Sequence, residues 1–532
     1  MKITRALGFA TATLLALSAC GSDGTTSTTS PSTARGTLAE DPPLRIASLD
    51  AADFNSQLTA NPSAQQLLLL AGTPTCGVDF YDLKFWTVGG AGESTESSGA
   101  LMVPTGAAPG CSGPRPIVLY AHGTQANKLL NLADITNAGN TEGAEIAAMY
   151  AAQGYIVVAP NYAGYDISTL GYHPFLNATQ QSAEMMDILA AARTALPNTL
   201  SAATKDSGQL FVTGYSEGGH VAVATVKALE ANGQTVTGVS GGSGPYALEA
   251  FGDALMFGNV DLGSTEFSPL LTTSYQHEYQ NIYQSPSDIY SSTYASGIET
   301  VLPSATPIST LYANNVLPAT ALFDSATPTV TVPGNIPLSS ALTAALEEPS
   351  PNSSALAPLF DLGFSNPNAM NNSYLINNSV RVAYALDAAA DPDGEDTALT
   401  GMAASASLAA ATPSYPLRKA FNLNDMRSWY GSVVPGAPLL MCGGENDPTV
   451  FYSVNTGTMA AFWSDVPTVS TLDVDPPTAS GTYAAIQAGF KQYEAQEIAS
   501  VGLAAWEENY HIAVAPFCAL AARSFFAAIL AE

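Results

Sequence analysis

Gln209-Leu210-Phe211-Val212-Thr213-Gly214-Tyr215-Ser216-Glu217-Gly218-Gly219-His220, with the run Val221–Glu230 behind it, decides how this chain reads. Residues 209–213 form a short apolar run that suits a buried strand, and Gly218–Glu230 has the composition and length of a helix. Between them Gly214–Gly218 is a G-x-S-x-G sequence, placed where that pattern carries chemistry: directly after a strand and directly before a helix. A serine on so sharp a turn projects its hydroxyl above the sheet, and glycine flanks let neighbouring backbone approach closely. The helix N-terminus adds backbone N–H groups and partial positive charge where an oxyanion would develop. Ser216 is the candidate nucleophile.

Working outward, Phe80–Val88 and Gly99–Pro104 read as an opening hairpin, and Pro116–Tyr120 and Tyr155–Pro160 as strands buried on both faces. Glu142–Gln153 and Ala178–Leu196 are predicted helices, the second closed by Pro197. A further strand at Thr235–Val239 leads into Gly241-Gly242-Ser243-Gly244-Pro245. Strand alternating with helix predicts an α/β fold with a mostly parallel, doubly wound sheet and active-site groups at the strand C-terminal ends. The alternation lapses between 246 and 436, a Ser/Thr/Asn/Pro-rich stretch read as an inserted cap, with a separate binding domain as the other reading. It resumes at Pro438–Cys442 and Val469–Val474 and ends in an apolar helix, Ala515–Leu530. The expected division is 38–245 and 437–532 for the core and 246–436 for the cap.

Serine needs a base, and there are only five histidines. In this strand order the base follows the nucleophile and the acid. His122 and His173 come too early, His220 sits below the hydroxyl on the nucleophile helix, and His277 falls in the cap. His511, just before the last helix, remains, with His277 or His220 as the fallback. The acid that orients the imidazole is expected at Asp447, after the strand Pro438–Cys442, with Glu445, Asp473 and Asp475 as rivals.

At this point residues 78–245 and 437–530 resemble the α/β-hydrolase superfamily, in particular its secretory-lipase and esterase branch. The resemblance rests on Tyr120-Ala121-His122-Gly123-Thr124, Gly154–Tyr162, Gly214–His220 and the Asp447 and His511 positions. It implies an oxyanion loop at His122-Gly123, hence Thr124 as first oxyanion donor, the Glu217 N–H as second and Gln125 as substitute. It implies no cofactor. One departure stands out: the helical stretch Thr482–Ala499 separates the last strand from His511.

Lys2 and Arg5 precede an apolar stretch, and Leu17-Ser18-Ala19-Cys20 resembles the lipobox of bacterial lipoproteins. Residues 1–19 are thus expected to be a signal peptide, Cys20 to carry lipid, and 20–37 to be a Ser/Thr-rich tether. An exported protein anchored in the cell envelope follows as the expectation, with the membrane as a partner through that lipid. Of the three pairings open to Cys76, Cys111, Cys442 and Cys518, proximity along the fold favours Cys76–Cys111 and Cys442–Cys518. Each would contribute about 3–5 kcal/mol in the chain-entropy model.

Composition narrows the function classes. Sixteen Lys and Arg against 45 Asp and Glu leave a net charge of −29, which disfavours nucleic acid as a partner. Only 11% of residues are charged and 46% are hydrophobic, so a large core and a neutral surface are expected. No metal site is expected: C-x-x-C and paired His spacings are absent, and Asp387–Asp396 misses the calcium-loop pattern and reads as a solvated turn. The leading expectation is a serine hydrolase of neutral acyl esters of short to medium length, oligomeric polyesters included. An exopeptidase of the same fold and a non-catalytic surface binding protein are the alternatives. Tyr275, Tyr279, Tyr283, Tyr290 and Tyr294 offer the cap flat apolar contacts, though most are expected to pack its own core.

Overall fold

The computed structural model describes residues 33–60, 68, 70–137, 140–199, 201–323, 374–394 and 408–532. The expected signal peptide and Cys20 lie outside these residues, as do 324–373 and 395–407 of the expected cap.

Nine strands form one sheet: β1 (Leu44–Leu49), β2 (Gly77–Val88), β3 (Ser94–Thr105), β4 (Gly113–Ala121), β5 (Ile156–Pro160), β6 (Thr204–Tyr215), β7 (Gly238–Gly242), β8 (Leu439–Gly443) and β9 (Val469–Asp473). Their order is β1-β2-β3-β5-β4-β6-β7-β8-β9. β1, β2, β3 and β5 pair antiparallel in succession, and every pairing from β5 through β9 is parallel. The central strands β5, β7 and β8 are buried at every position, which is why their sequences run continuously small or apolar instead of alternating. β1 escaped the sequence reading. Its residues are half exposed at the sheet edge, so it has no apolar run to announce it.

The longer helices are α1 (Ala51–Ala60), α2 (Thr141–Met149), α3 (Ala178–Ala195), α4 (Glu217–Ala231), α5 (Leu248–Met256), α6 (Ser264–Tyr279), α7 (Asn378–Ala390), α8 (Pro416–Asn424), α9 (Ala484–Val501) and α10 (Leu503–Ala531). Strand β7 shows how they flank the sheet. A side chain at Gly238 or Gly242 would strike Ile529 or Cys518 of α10, whereas one at Gly241 would meet Val223 of α4. Successive strand residues face opposite sides, so α10 and α4 cover opposite faces. By length and composition α10 could cross a membrane. Here Tyr510, Val514, Phe517 and Ala521 are buried in a cluster with Leu440 and Leu472 of the sheet.

Both expected disulfides form, Cys76–Cys111 and Cys442–Cys518. Within the stretch read as a tether, Arg35 pairs with Asp187 at 3.0 Å and Gly36 donates to the Trp86 carbonyl, so residues 35–37 lie against the core.

Between β7 and β8 the chain builds a second apolar cluster from α5, α6, α7 and α8, including Leu248, Phe251, Leu271, Tyr384 and Phe421. Two buried arginines tie it together. Arg418 grips Asp253 through two bonds of 2.8 and 2.7 Å and lies 3.1 Å from Glu249, while Arg427 bridges Asp393 and Asp425 at 2.7 Å each. The acidic stretch from Asp387 was expected to be a solvated turn. Instead Asp387 lies 3.5 Å from Arg418 and Asp393 is fully engaged with Arg427; Glu395 and Asp396 lie outside the described residues. Two cations placed far along the chain recruit these acids, and no local pattern records that.

Candidate active site

Ser216 sits between β6 and α4 with φ 58° and ψ −124°, a conformation that L-residues adopt only when their surroundings impose it. The surroundings do. A Cβ on Gly218 would lie 1.9 Å from the Ala121 carbonyl oxygen, and one on Gly214 would lie 2.2 Å from that of Gly218. The Ser216 N–H donates to the Gly242 carbonyl at 2.9 Å, fastening the turn to β7.

Asp447 lies in the loop after β8, its carboxylate shielded from solvent. Oδ1 accepts the backbone N–H groups of Thr449 (2.9 Å) and Val450 (3.1 Å), and Oδ2 meets His511 Nδ1 at 2.6 Å. With both acceptors of one carboxylate so divided, Nδ1 carries the proton and Nε2 has the free lone pair. Nε2 is buried and bonded to none of the described residues. The other end of the histidine is held from the Ser216 turn: the Tyr215 hydroxyl donates to the His511 carbonyl at 2.5 Å, and the two ring centroids are 5.0 Å apart.

His511 was expected just before the last helix, and this is corrected. It lies within α10, whose first residue is Leu503, not Ala515. Pro516 stands inside the helix, where it lacks the N–H for the Ile512 carbonyl. The rival acids go elsewhere. Asp473 accepts the N–H groups of Glu445 and Asp475, and Asp475 accepts the Tyr510 hydroxyl at 2.8 Å, bracing α10 one residue before the histidine. His220 Nε2 turns away to the Asn424 carbonyl at 2.8 Å, and His277 stacks on Tyr172 at 3.7 Å.

Gly123 lies against the turn, since a Cβ there would be 3.7 Å from that of Ser216. Its N–H donates to Glu142 Oε1 at 3.0 Å, an oxygen that also accepts the Tyr120 hydroxyl at 2.9 Å. Its carbonyl lies 2.6 Å from His122 Nδ1. Because N–H and C=O of a trans peptide point in opposite directions, the Thr124 N–H turns away from the His122 ring. Thr124, Ser216 and Glu217 border one cleft that is partly open to solvent. Most of its other walls come from the segment between β7 and β8, Leu248, Phe251, Leu255, Phe267, Leu271 and Phe421 among them, with Phe175 and Leu176 before α3 and Thr449 and Val450 after β8 completing it. The five cap tyrosines do not line it. Tyr275 donates to the Leu176 carbonyl, Tyr283 to Glu299, and phenylalanines take the wall positions.

Three features were missed in the sequence. Glu142 reaches the Gly123 N–H from the first turn of α2, and a cluster of His173, Gln181 and Glu217 lies behind Ser216. Asp261, also on the cavity wall, is a third: burial pushes its carboxyl up to about 7, against the hydrogen bond from Ser264, with the charge of Asp447 adding to the rise.

Neither a protein-family model nor a curated protein matches the chain. Among solved structures, a ligand-bound form of the rice cell wall degrading esterase LipA from Xanthomonas oryzae is 21% identical, with 92% of this chain and 98% of that one covered and a TM-score of 0.63. A protein of Legionella pneumophila subsp. pneumophila, assigned provisionally as a hydrolase, is 16% identical over 91% of this chain and 96% of its own, with a TM-score of 0.58. At these identities the likeness speaks to architecture, and with the sheet order above it establishes that the chain has an α/β-hydrolase fold.

Proposed function

We propose that the protein is a serine carboxylic-ester hydrolase of the esterase or lipase type. The observation that carries the reading is the Asp447–His511 bond of 2.6 Å, with His511 held by the hydroxyl of Tyr215, the residue before a serine at φ 58°. Ser216 attacks the ester carbonyl as His511 Nε2 takes its proton, and the oxyanion is received by the backbone N–H groups of Thr124 and Glu217. The imidazolium, stabilised by Asp447, protonates the departing alcohol. Water, deprotonated by the same nitrogen, then cleaves the acyl-enzyme. None of these steps calls for a cofactor.

The cavity's phenylalanine and leucine walls favour acyl esters of short to medium length, with oligomeric polyesters as a further substrate class. The Xanthomonas neighbour is itself an esterase, which agrees with this choice. Two disulfides suit an oxidising compartment, and we place the protein outside the cytoplasm with lipid on Cys20. Cys20→Ala should abolish labelling by a radioactive fatty acid; unchanged labelling refutes the anchor.

The enzymatic test compares p-nitrophenyl esters from acetate to palmitate with aminoacyl p-nitroanilides, using wild type and Ser216→Ala. Ester turnover lost by several orders of magnitude in the variant is the expected result. A higher kcat/KM on the anilides overturns the ester assignment in favour of an exopeptidase.

A further inference from the structure

Behind the nucleophile lies a second histidine–carboxylate pair, fully buried. His173 Nε2 is 2.7 Å from Glu217 Oε1, and His173 Nδ1 is 3.0 Å from the Ala163 carbonyl oxygen. Both ring nitrogens therefore face acceptors. A neutral imidazole has one donor, and only the imidazolium has two. We propose that His173 and Glu217 form a standing imidazolium–carboxylate pair, which locks the residue after the nucleophile and balances its charge.

The Gln181 bond and the helix end favour placing the proton on the ring rather than on the carboxyl, while Glu217 Oε2 is buried with no partner among the described residues. Glu217 Oε1 also accepts Gln181 Nε2 at 2.6 Å, a bond that strengthens when the oxygen is charged. Glu217 is the first residue of α4, at the positive end of that helix. Tyr162, Tyr165, Glu184 and His122 are among the titratable groups around His173. Tyr162 stacks on it with centroids 5.4 Å apart, and Tyr165 lies at 4.9 Å, so aromatic faces surround the cation. Glu184 accepts the Ala163 N–H at 3.0 Å, and burial raises the pKa of its carboxyl. His122 lies beyond Tyr162, at 4.0 Å from that ring, and is screened by it.

The consequence for catalysis rests on the reading of Ser216 as nucleophile. A Glu217 carboxylate beside the developing oxyanion raises the barrier unless a cation compensates it, and His173 is that cation. It is a positioning residue that acts through Glu217.

Ring ¹⁵N NMR of the wild-type protein labelled at histidine tests the charge state without any assay of turnover, with His173→Gln used to assign the signal. Two protonated ring nitrogens from pH 6 to 8 are expected. One unprotonated nitrogen in that range overturns the proposal. Kinetics on p-nitrophenyl butyrate test the consequence. His173→Gln should lower kcat on the order of tenfold with KM within threefold, and His173→Gln/Glu217→Gln should recover at least threefold of that loss, because it removes the unbalanced charge. A double variant no better than the single refutes the charge-balancing role. Absence of ester turnover in the wild type counts against the proposed function alone, since the NMR result still decides the pair.

Discussion

Replacing Asp447 by Asn isolates what the carboxylate does, because the structure dictates which way the amide must point. In the wild type Oδ1 faces two backbone N–H groups and Oδ2 faces His511 Nδ1. The Asn oxygen keeps the two backbone bonds, so its NH₂ is presented to Nδ1. Nδ1 then becomes an acceptor, the proton moves to Nε2, and the imidazole can no longer take a proton from Ser216. The flipped amide that would restore the productive tautomer sets NH₂ against two N–H groups. At about 2 kcal/mol for each lost bond, that costs about 4 kcal/mol and leaves about one molecule in a thousand productive at 1.36 kcal/mol per tenfold. Asp447→Asn should therefore lower kcat about 10³- to 10⁴-fold with KM little changed and the thermal midpoint nearly that of wild type. Initial rates on p-nitrophenyl butyrate, with thermal unfolding of the same preparation, provide the check. A kcat within tenfold of wild type would falsify the tautomer argument and return Asp473 or Asp475 to consideration.

Three further outcomes follow from the same geometry. Ser216→Gly relieves the positive φ, worth about 1–3 kcal/mol, at a chain-entropy cost of about 0.5–1 kcal/mol. Urea unfolding should show net stabilisation of about 1 kcal/mol in a protein without turnover, and a net loss would contradict the strain. Removing Cys442–Cys518 should cost about 4 kcal/mol and also lower kcat, since it joins the strand before Asp447 to the helix of His511. Removing Cys76–Cys111 should cost a similar amount and leave kcat alone; equal kcat in both would show that the second bridge does not hold the site. Asp261 has a folded pKa raised from 3.8 to about 7, so the native state binds the extra proton. Its stabilising share is present below pH 4 and lost as pH rises through 7. Asp261→Asn should gain on wild type between pH 5 and 8, up to about 4 kcal/mol at 1.36 kcal/mol per unit; a pH-independent difference in thermal midpoint would refute the assignment.

The sequence by itself determined the parallel sheet and the nucleophile turn, because both are encoded over short range. Buried strands such as Ile156–Pro160 need apolar residues at every position. A turn whose backbone oxygens approach within 2 Å of a would-be side chain needs glycine at Gly218. Order along the chain put His511 and Asp447 first among several candidates, and the structure joins those two; proximity along the fold favoured the two cysteine pairs that form. Tertiary structure decided the rest. The last helix begins at Leu503, twelve positions before the span read from the sequence, and its added turns are held by packing of Trp506, Tyr510 and Phe517 against Leu440 of β8 and Leu472 of β9. Edge strand β1 depends on its neighbour β2 for hydrogen bonds, and nothing in its own residues demands them. Glu142 on Gly123, His173 on Glu217, and Asp387 and Asp393 on two buried arginines are joined by charge and hydrogen bonding across 19 to 44 positions. Such bonds depend on distance in space, which spacing along a single chain does not record.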